Sequence, residues 1–195
     1  MILSTMQGGK TTYVIRLIET LGYAFRNSSP TRQMLYVNHS LDDRAETVFS
    51  THSSLLRSAN LEDMGADAKK TSNLASVYRE LLASSSRPKV VIIDEANFFT
   101  DLVEYVPKLV DELGLEVYVA GLNGDYQRRP FGQILNLIPH ADDVKILRDT
   151  YCNGCSRKGI RTKAIFTRRI SDVTGSQIEV GASNYEPVCR GCFLA

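Results

Sequence analysis

Met1-Ile2-Leu3-Ser4-Thr5-Met6-Gln7-Gly8-Gly9-Lys10-Thr11-Thr12 is the stretch on which the fold of this chain turns. A short apolar run leads into two glycines, a lysine and two hydroxyl residues, and the helical pattern Tyr13-Val14-Ile15-Arg16-Leu17-Ile18 follows. This is the layout of a phosphate-cradling loop. Backbone N–H groups at a helix N-terminus face phosphate oxygens, the lysine reaches the terminal phosphates, and the hydroxyl after it holds Mg2+. The full pattern is G-x-x-x-x-G-K-[ST], and Ser4 stands at its first glycine. If that position needs φ > 0, a Cβ there costs about 1–2 kcal/mol. Taken alone, the segment also reads as a glycine-rich turn before an ordinary helix.

Outward from the loop, strand and helix patterns alternate. Residues 1–3 resemble the end of a strand, short for the five or so residues expected of a buried central strand. Either the strand is truncated or it begins upstream of Met1. Apolar positions Val14, Leu17, Ile18 and Leu21 predict a helix from Thr11 to about Arg26, broken by Asn27-Ser28-Ser29-Pro30. Gln33 to Asn38 reads as a strand, and Ser40 to Lys70, lacking periodicity, as loops that reach the site. Leu74 to Leu82 is helical. Pro88-Lys89-Val90-Val91-Ile92-Ile93-Asp94-Glu95 has the unbroken apolar run of a parallel strand buried on both faces. Leu102 to Leu113 follows as a helix, with Pro107 a kink or a restart, and Leu115 to Gly121 is the next buried strand. The alternation predicts an α/β fold with a doubly wound parallel sheet over residues 1–143, and a smaller C-terminal portion over 144–195.

The totals narrow the function classes. The 195 residues are 43% hydrophobic and 23% charged with a formal net charge of +1, so nothing global points to nucleic acid or an anionic membrane. No apolar run approaches the ~20 residues of a membrane helix. No export signal precedes the first strand, which makes the cytosol the default compartment.

Asp94 ends the strongest strand, at the lip where open α/β sheets bind ligands. There it can share an Mg2+ shell with Thr11, and Glu95 can act as a general base. A strand running into an acidic helix cap is the bland alternative, disfavoured by the upstream Gly9-Lys10-Thr11. Cys152-x-x-Cys155 and Cys189-x-x-Cys192 offer four thiolates on two tight turns, a closed tetrahedral set suited to structural Zn2+. Their separation exceeds the usual zinc-ribbon range, so the intervening chain holds its own hairpin, with β-like runs at Ala164–Arg169 and Val180–Tyr185. That hairpin is equally readable as a tethered flap over a flat ligand or as a plain ribbon with Phe166 and Tyr185 in its core. Gly121-Leu122-Asn123-Gly124-Asp125-Tyr126-Gln127-Arg128-Arg129-Pro130-Phe131-Gly132 has the character of a site loop. His39, His52 and His140 are isolated and read as surface or hydrogen-bonded histidines.

In this order the motifs resemble the type II thymidine kinases, the cellular and poxvirus-like family with a zinc-anchored lasso. The likeness covers nearly the whole chain: Met6-x-x-Gly9-Lys10-Thr11, Asp42-Asp43-Arg44, Asp94-Glu95-Ala96-Asn97-Phe98-Phe99, the 121–132 loop, both cysteine pairs, Phe166-Thr167-Arg168-Arg169 and Gly181-x-x-x-Tyr185. Departures are Ser4-Thr5 for the usual Gly-Pro, Gln7-Gly8 for an aromatic or small pair, Asn97 for Gln or His, and Val180 for a lasso glycine.

The resemblance implies transfer of the ATP γ-phosphate to the 5′-OH of thymidine or deoxyuridine, with Glu95 as base and Lys10 and Arg44 at the transferred phosphoryl. ATP and Mg2+ would lie against Met6, Gln7, Gly8, Gly9, Lys10, Thr11, Thr12, Asp42 and Asp94. The nucleoside would lie among Met6, Leu122, Tyr126, Phe166, Thr167, Val180, Gly181 and Tyr185. Zn2+ on Cys152, Cys155, Cys189 and Cys192 would anchor the lasso. A cytoplasmic homotetramer under dTTP feedback is also implied, with neither nucleic acid nor membrane as partner. The rival for this residue set is a catalytically weak nucleotide-binding relative, because of Ser4.

Overall fold

A computed structural model describes residues 1–26, 33–42, 61–170 and 184–195. Its centre is the apolar run Val90–Ile93, strand β4, whose four residues are all buried. Strand β2 (Met34–His39) pairs with it on one side and β5 (Glu116–Leu122) on the other, both parallel. Beyond β5 lies β1 (Ile2–Ser4), with Ile2 opposite Ala120 and Ser4 opposite Leu122. With β3 (Ala66–Thr71) and β6 (Lys145–Leu147) at its edges, the six-stranded parallel sheet runs β3-β2-β4-β5-β1-β6.

Both edge strands are informative. β3 (Ala66–Thr71) falls in the stretch expected to hold only loops. Its sequence, Ala-Asp-Ala-Lys-Lys-Thr, lacks an apolar run because an edge strand needs little burial; Lys69 pairs with Glu80 and Lys70 donates to the Asp42 carbonyl. β6 (Lys145–Leu147) pairs parallel with β1, so these first residues of the C-terminal portion complete the sheet.

Helices cover both faces. On one, α1 (Lys10–Phe25) buries Val14 and Ile18 against Met34, Tyr36, Val90, Ile92 and Ala120. On the other, α2 (Leu74–Ala83) and α3 (Leu102–Pro107) enclose Val91, Ile93 and Val119 with Leu74, Val77, Phe99 and Leu102. Each such side chain taken from water contributes on the order of 1.5–3 kcal/mol. Asn73 caps α2 by accepting from the Ser76 N–H, and Asp101 Oδ2 accepts from the Leu74 and Ala75 N–H groups. The expected helix through Leu113 changes winding at Pro107, where a wider π-helical turn spans Lys108–Glu112. Proline lacks the N–H that continues an α-helix, and the looser turn absorbs the loss.

After a 3₁₀ segment (Ile134–His140) and β6, the chain enters a small antiparallel ribbon of β7 (Phe166–Arg169) and β8 (Tyr185–Val188). The short helices α4 (Asn153–Ser156) and α5 (Arg190–Leu194) flank it. β8 begins at Tyr185, where the second β-like run was expected to end.

Candidate active site and zinc-ligand cluster

The loop after β1 folds as a nest of N–H groups. The Gly8 N–H donates to Thr5 O at 3.0 Å, while Gln7 and Gly9 take left-handed backbone at φ 57 and 89. Gly9 is the residue before α1, so its conformation aims the helix N-terminus into the loop. Ser4 is not strained. It closes β1 in ordinary extended backbone, is fully buried, and bonds through its hydroxyl to Thr5 O at 3.0 Å. The expected penalty for a Cβ at this position does not arise, because the loop places its left-handed residues at 7 and 9. What Ser4 does impose is spatial: a Cβ on Gly8 would lie 2.8 Å from the Ser4 Cβ and 2.7 Å from Thr5 O.

Lys10, the first residue of α1, is 6% exposed, and its ammonium lies 2.5 Å from Asp94 Oδ1 and 3.1 Å from Glu95 Oε1. Burial alone would favour loss of its proton. Asp94 first and Glu95 next overcome that and hold its pKa above the ordinary lysine value. Asp94 also accepts from the Glu95 N–H at 2.8 Å and from the Tyr36 hydroxyl at 3.0 Å. Glu95 sits at φ 49, a conformation uncommon for a residue with a Cβ, where the chain leaves β4. Such outliers persist where surrounding contacts over-determine them, and here Lys10 and the Asp94 side chain do so.

Asp42 joins the same end of the sheet. It is buried, with Asn38 Nδ2 on its Oδ2 at 3.0 Å and the Lys70 ammonium on its carbonyl. His39 beside it is a buried, hydrogen-bonded histidine: Nδ1 accepts from the Leu41 N–H at 3.1 Å, and its ring meets Phe99 edge-on. Arg44, Val180, Gly181 and His52 lie outside the described residues.

The 121–132 loop is fastened to the turn after β4 and to the end of β1. Asn97 Oδ1 accepts from the Leu122 N–H at 3.1 Å, and the Asn123 N–H donates to Ser4 O at 3.0 Å. Gly132 (φ 59) passes so close to Asn97 that a Cβ would lie 2.1 Å from its carbonyl oxygen. The buried Asp125 carboxylate organises the tip, accepting from the Gln127 N–H and from Arg129 through its N–H and Nε.

The ribbon closes over this loop. Thr167 Oγ1 accepts from the Met6 N–H at 3.0 Å, joining phosphate loop and ribbon across most of the sequence. The Arg169 guanidinium lies 4.1 Å from the Tyr126 ring centroid and donates to the Tyr185 hydroxyl at 3.0 Å. Arg128 stacks over Phe193 at 4.7 Å and Phe166 at 5.5 Å. Met6 thus meets Thr167, Tyr126 and Tyr185 share Arg169, and Phe166 meets Arg128, while Leu122 is held by Asn97. Arg128 and Arg169 lie in motifs picked out from the sequence, but their aromatic partners, Phe193 among them, are set by tertiary folding. Tyr36 was missed, since an aromatic in a strand reads as core.

The four cysteine sulfurs lie within 4.8 Å of one another and form no disulfide. Cys155 Sγ is 3.6 Å from Cys189 Sγ and 3.7 Å from Cys192 Sγ. A tetrahedral Zn2+ with Zn–S bonds of about 2.3 Å would set sulfurs about 3.8 Å apart, so the donor set fits the ion. Cys152 and Cys189 sulfurs accept the N–H groups of Cys155 and Cys192. A Cβ on Gly154 would fall 2.8 Å from Cys192 Sγ, which explains the glycine inside this turn. Glu186 ties the cluster to the ribbon by accepting from Arg157 at 3.0 Å and from Arg168, whose Nη1 also donates to Cys192 O. Among the described residues no helix is long and apolar enough to cross a membrane.

Comparison with known proteins agrees with this architecture. The thymidine kinase family model matches residues 1–193. The chain is 34% identical over 194 residues to "Thymidine kinase, cytosolic" of Gallus gallus, covering 99% of this chain and 75% of that one. It is 32% identical to the Homo sapiens protein of the same description, over 99% of this chain and 71% of that one. With the thymidine kinase of Vaccinia virus (strain Western Reserve) it shares 30% identity over 100% of this chain and 95% of the viral one. The matched length, the α/β sheet and the clustered cysteines together establish that the chain belongs to the thymidine kinase family.

Proposed function

We propose that the chain phosphorylates thymidine, transferring the γ-phosphoryl of ATP to the nucleoside 5′-OH. The observation that carries this reading is the convergence of Lys10, Asp94 and Glu95 in one buried cluster, beneath a phosphate loop bonded through Met6 to the ribbon.

Phosphoryl transfer needs positioning and charge stabilisation more than covalent chemistry. The loop over residues 6–12 and the Lys10 ammonium would bind the ATP phosphates, with the Met6 and Gly8 N–H groups kept by Thr167 Oγ1 and Thr5 O. Thr11 and Asp94 would hold Mg2+, which supplies charge neutralisation at the phosphates; a hydroxyl and a carboxylate oxygen suit this hard cation. Glu95 would take the 5′-OH proton, while Arg44 would approach the transferred phosphoryl and Asp42 would line the phosphate side. Leu122, Tyr126, Phe166, Thr167 and Tyr185, with Val180 and Gly181, would enclose the base. Zn2+ on the four cysteines would be structural, because a complete thiolate set leaves no open position.

The resemblance further supports a nucleotide-binding unit with an appended zinc-anchored lasso, the expected boundary at 143/144 moving past β6, which belongs to the sheet. It also supports a cytoplasmic homotetramer, acceptance of deoxyuridine and feedback by dTTP. A phosphorylation assay with ATP, Mg2+ and each deoxynucleoside tests the activity. Thymidine monophosphate is the expected product. Intact ATP binding without turnover would instead mark a catalytically weak relative.

A further inference from the structure

Tyr36 is out of place as a core residue. It lies on β2, packed among Val90, Ile92 and Ala120 beneath α1, and is 2% exposed, yet its hydroxyl reaches the lip of β4 to bond Asp94 Oδ2 at 3.0 Å. A buried phenol is accepted in an apolar core only when its oxygen finds a partner, so a phenylalanine would serve packing alone at least as well. The partner here is a carboxylate of the site.

We propose that Tyr36 is a positioning residue for phosphoryl transfer, holding the Asp94 carboxylate in its working orientation while Lys10 is shared with phosphate. The proposal rests on the kinase reading above.

Three donors converge on Asp94. Lys10 Nζ and the Glu95 N–H share Oδ1, at 2.5 and 2.8 Å, and the Tyr36 hydroxyl takes Oδ2. Lys10 also holds Glu95 at 3.1 Å, so two of its three donors already serve carboxylates, and a phosphate takes the third and competes for the other two. Whatever share of the ammonium Asp94 yields is yielded at a residue 4% exposed, where little water can replace it. The Glu95 N–H fixes one oxygen. The tyrosine fixes the other, and together they prevent rotation of the carboxylate plane. Asp94 offers only acceptor oxygens as a carboxylate, so the phenol is the donor of this bond.

The test is Tyr36→Phe, which keeps the ring and its packing and removes one oxygen. ATP affinity is measured by titration calorimetry with Mg2+ and with EDTA, in wild type and variant. Loss of one hydrogen bond to a charged group should cut the Mg2+-dependent gain in ATP affinity about tenfold. ATP affinity in EDTA and the thymidine KM should hold, the unfolding midpoint should drop modestly as Asp94 Oδ2 loses its donor, and kcat at limiting Mg2+ should fall with the gain. An unchanged Mg2+-dependent gain, or a variant altered in unfolding midpoint alone, overturns the proposal, as does a wild type showing no such gain. In an Asp94→Asn background Tyr36→Phe should have no further effect on the gain; independent effects also overturn it. Absence of thymidine phosphorylation by wild type would overturn the kinase reading instead, and the calorimetric comparison would still decide the role of Tyr36.

Discussion

Replacing Lys10 by methionine keeps the length and volume of the side chain and deletes its charge. In the native protein that charge lies 2.5 Å from Asp94 and 3.1 Å from Glu95, with side-chain exposures of 7%, 6% and 10% for the three residues. Removing one partner of a buried ion pair leaves an uncompensated charge and destabilises by about 3–5 kcal/mol. The lower end applies, because Asp94 retains the Tyr36 hydroxyl and the Glu95 N–H and no cavity opens. A loss of about 3 kcal/mol is a large share of the ~5–15 kcal/mol that holds a domain folded. The pH dependence follows from the direction of the lysine shift. A folded-state pKa raised above the unfolded value gives stabilisation fully present below the unfolded value and lost only as pH rises through the folded one. The deficit of Lys10→Met should therefore stay constant between about pH 6 and pH 9. Urea unfolding of both proteins across that range measures it. A deficit under about 1 kcal/mol would show a pair screened as surface pairs are, and one that vanishes by about pH 9 would show a neutral lysine; either refutes the argument.

Two further outcomes test the site. Glu95→Gln keeps an oxygen for Lys10 but cannot take a proton, so kcat should fall by about 10²–10⁴ while thymidine binding, followed by calorimetry, persists; near-normal turnover would remove Glu95 from the role of base. Stripping zinc with a chelator should free Cys152, Cys155, Cys189 and Cys192 to thiol reagents and raise the thymidine KM, since the ribbon carrying Phe166, Thr167 and Tyr185 hangs from these ligands; an unaltered KM would disconnect zinc from the nucleoside.

The parts legible in the sequence are those written in local patterns. Val90–Ile93 announces a doubly buried strand because four consecutive apolar residues fit little else before an acidic turn, and Gly9-Lys10-Thr11 announces its loop because few other contexts need a left-handed glycine before a lysine at a helix start. β3 stayed hidden because, among the described residues, Ala66–Thr71 pairs only with β2, which orders its backbone without a hydrophobic period. The contact of Met6 with Thr167 and the stack of Arg169 on Tyr126 join residues far apart in the chain and leave no local trace. Tyr36 is a different failure. Its residue type is right for the core, and only the position of one oxygen reveals the second task.

Ser4 shows how a departure from a motif can be absorbed by its neighbour. A glycine at this position is unnecessary for backbone freedom, because the residue completes β1 in extended geometry. The constraint is space: the Ser4 Cβ occupies the volume that a Cβ on residue 8 would enter at 2.8 Å, and residue 8 is glycine. Ser4 and Gly8 therefore form a compensating pair, with one side chain allowed between the two positions. Gly8→Ala should weaken ATP binding, because the loop must open to admit the methyl group and its N–H would leave Thr5 O. Adding Ser4→Gly should recover part of the loss, with a coupling energy of about 0.5–3 kcal/mol for sites in direct contact. Recovery is partial because Thr5 O, 2.7 Å from the same Cβ position, is backbone and remains in both variants. ATP titrations of the two single variants and the double variant close the cycle. If Ser4→Gly restores nothing in the Gly8→Ala background, the Thr5 carbonyl alone demands the glycine and the two positions are not a pair.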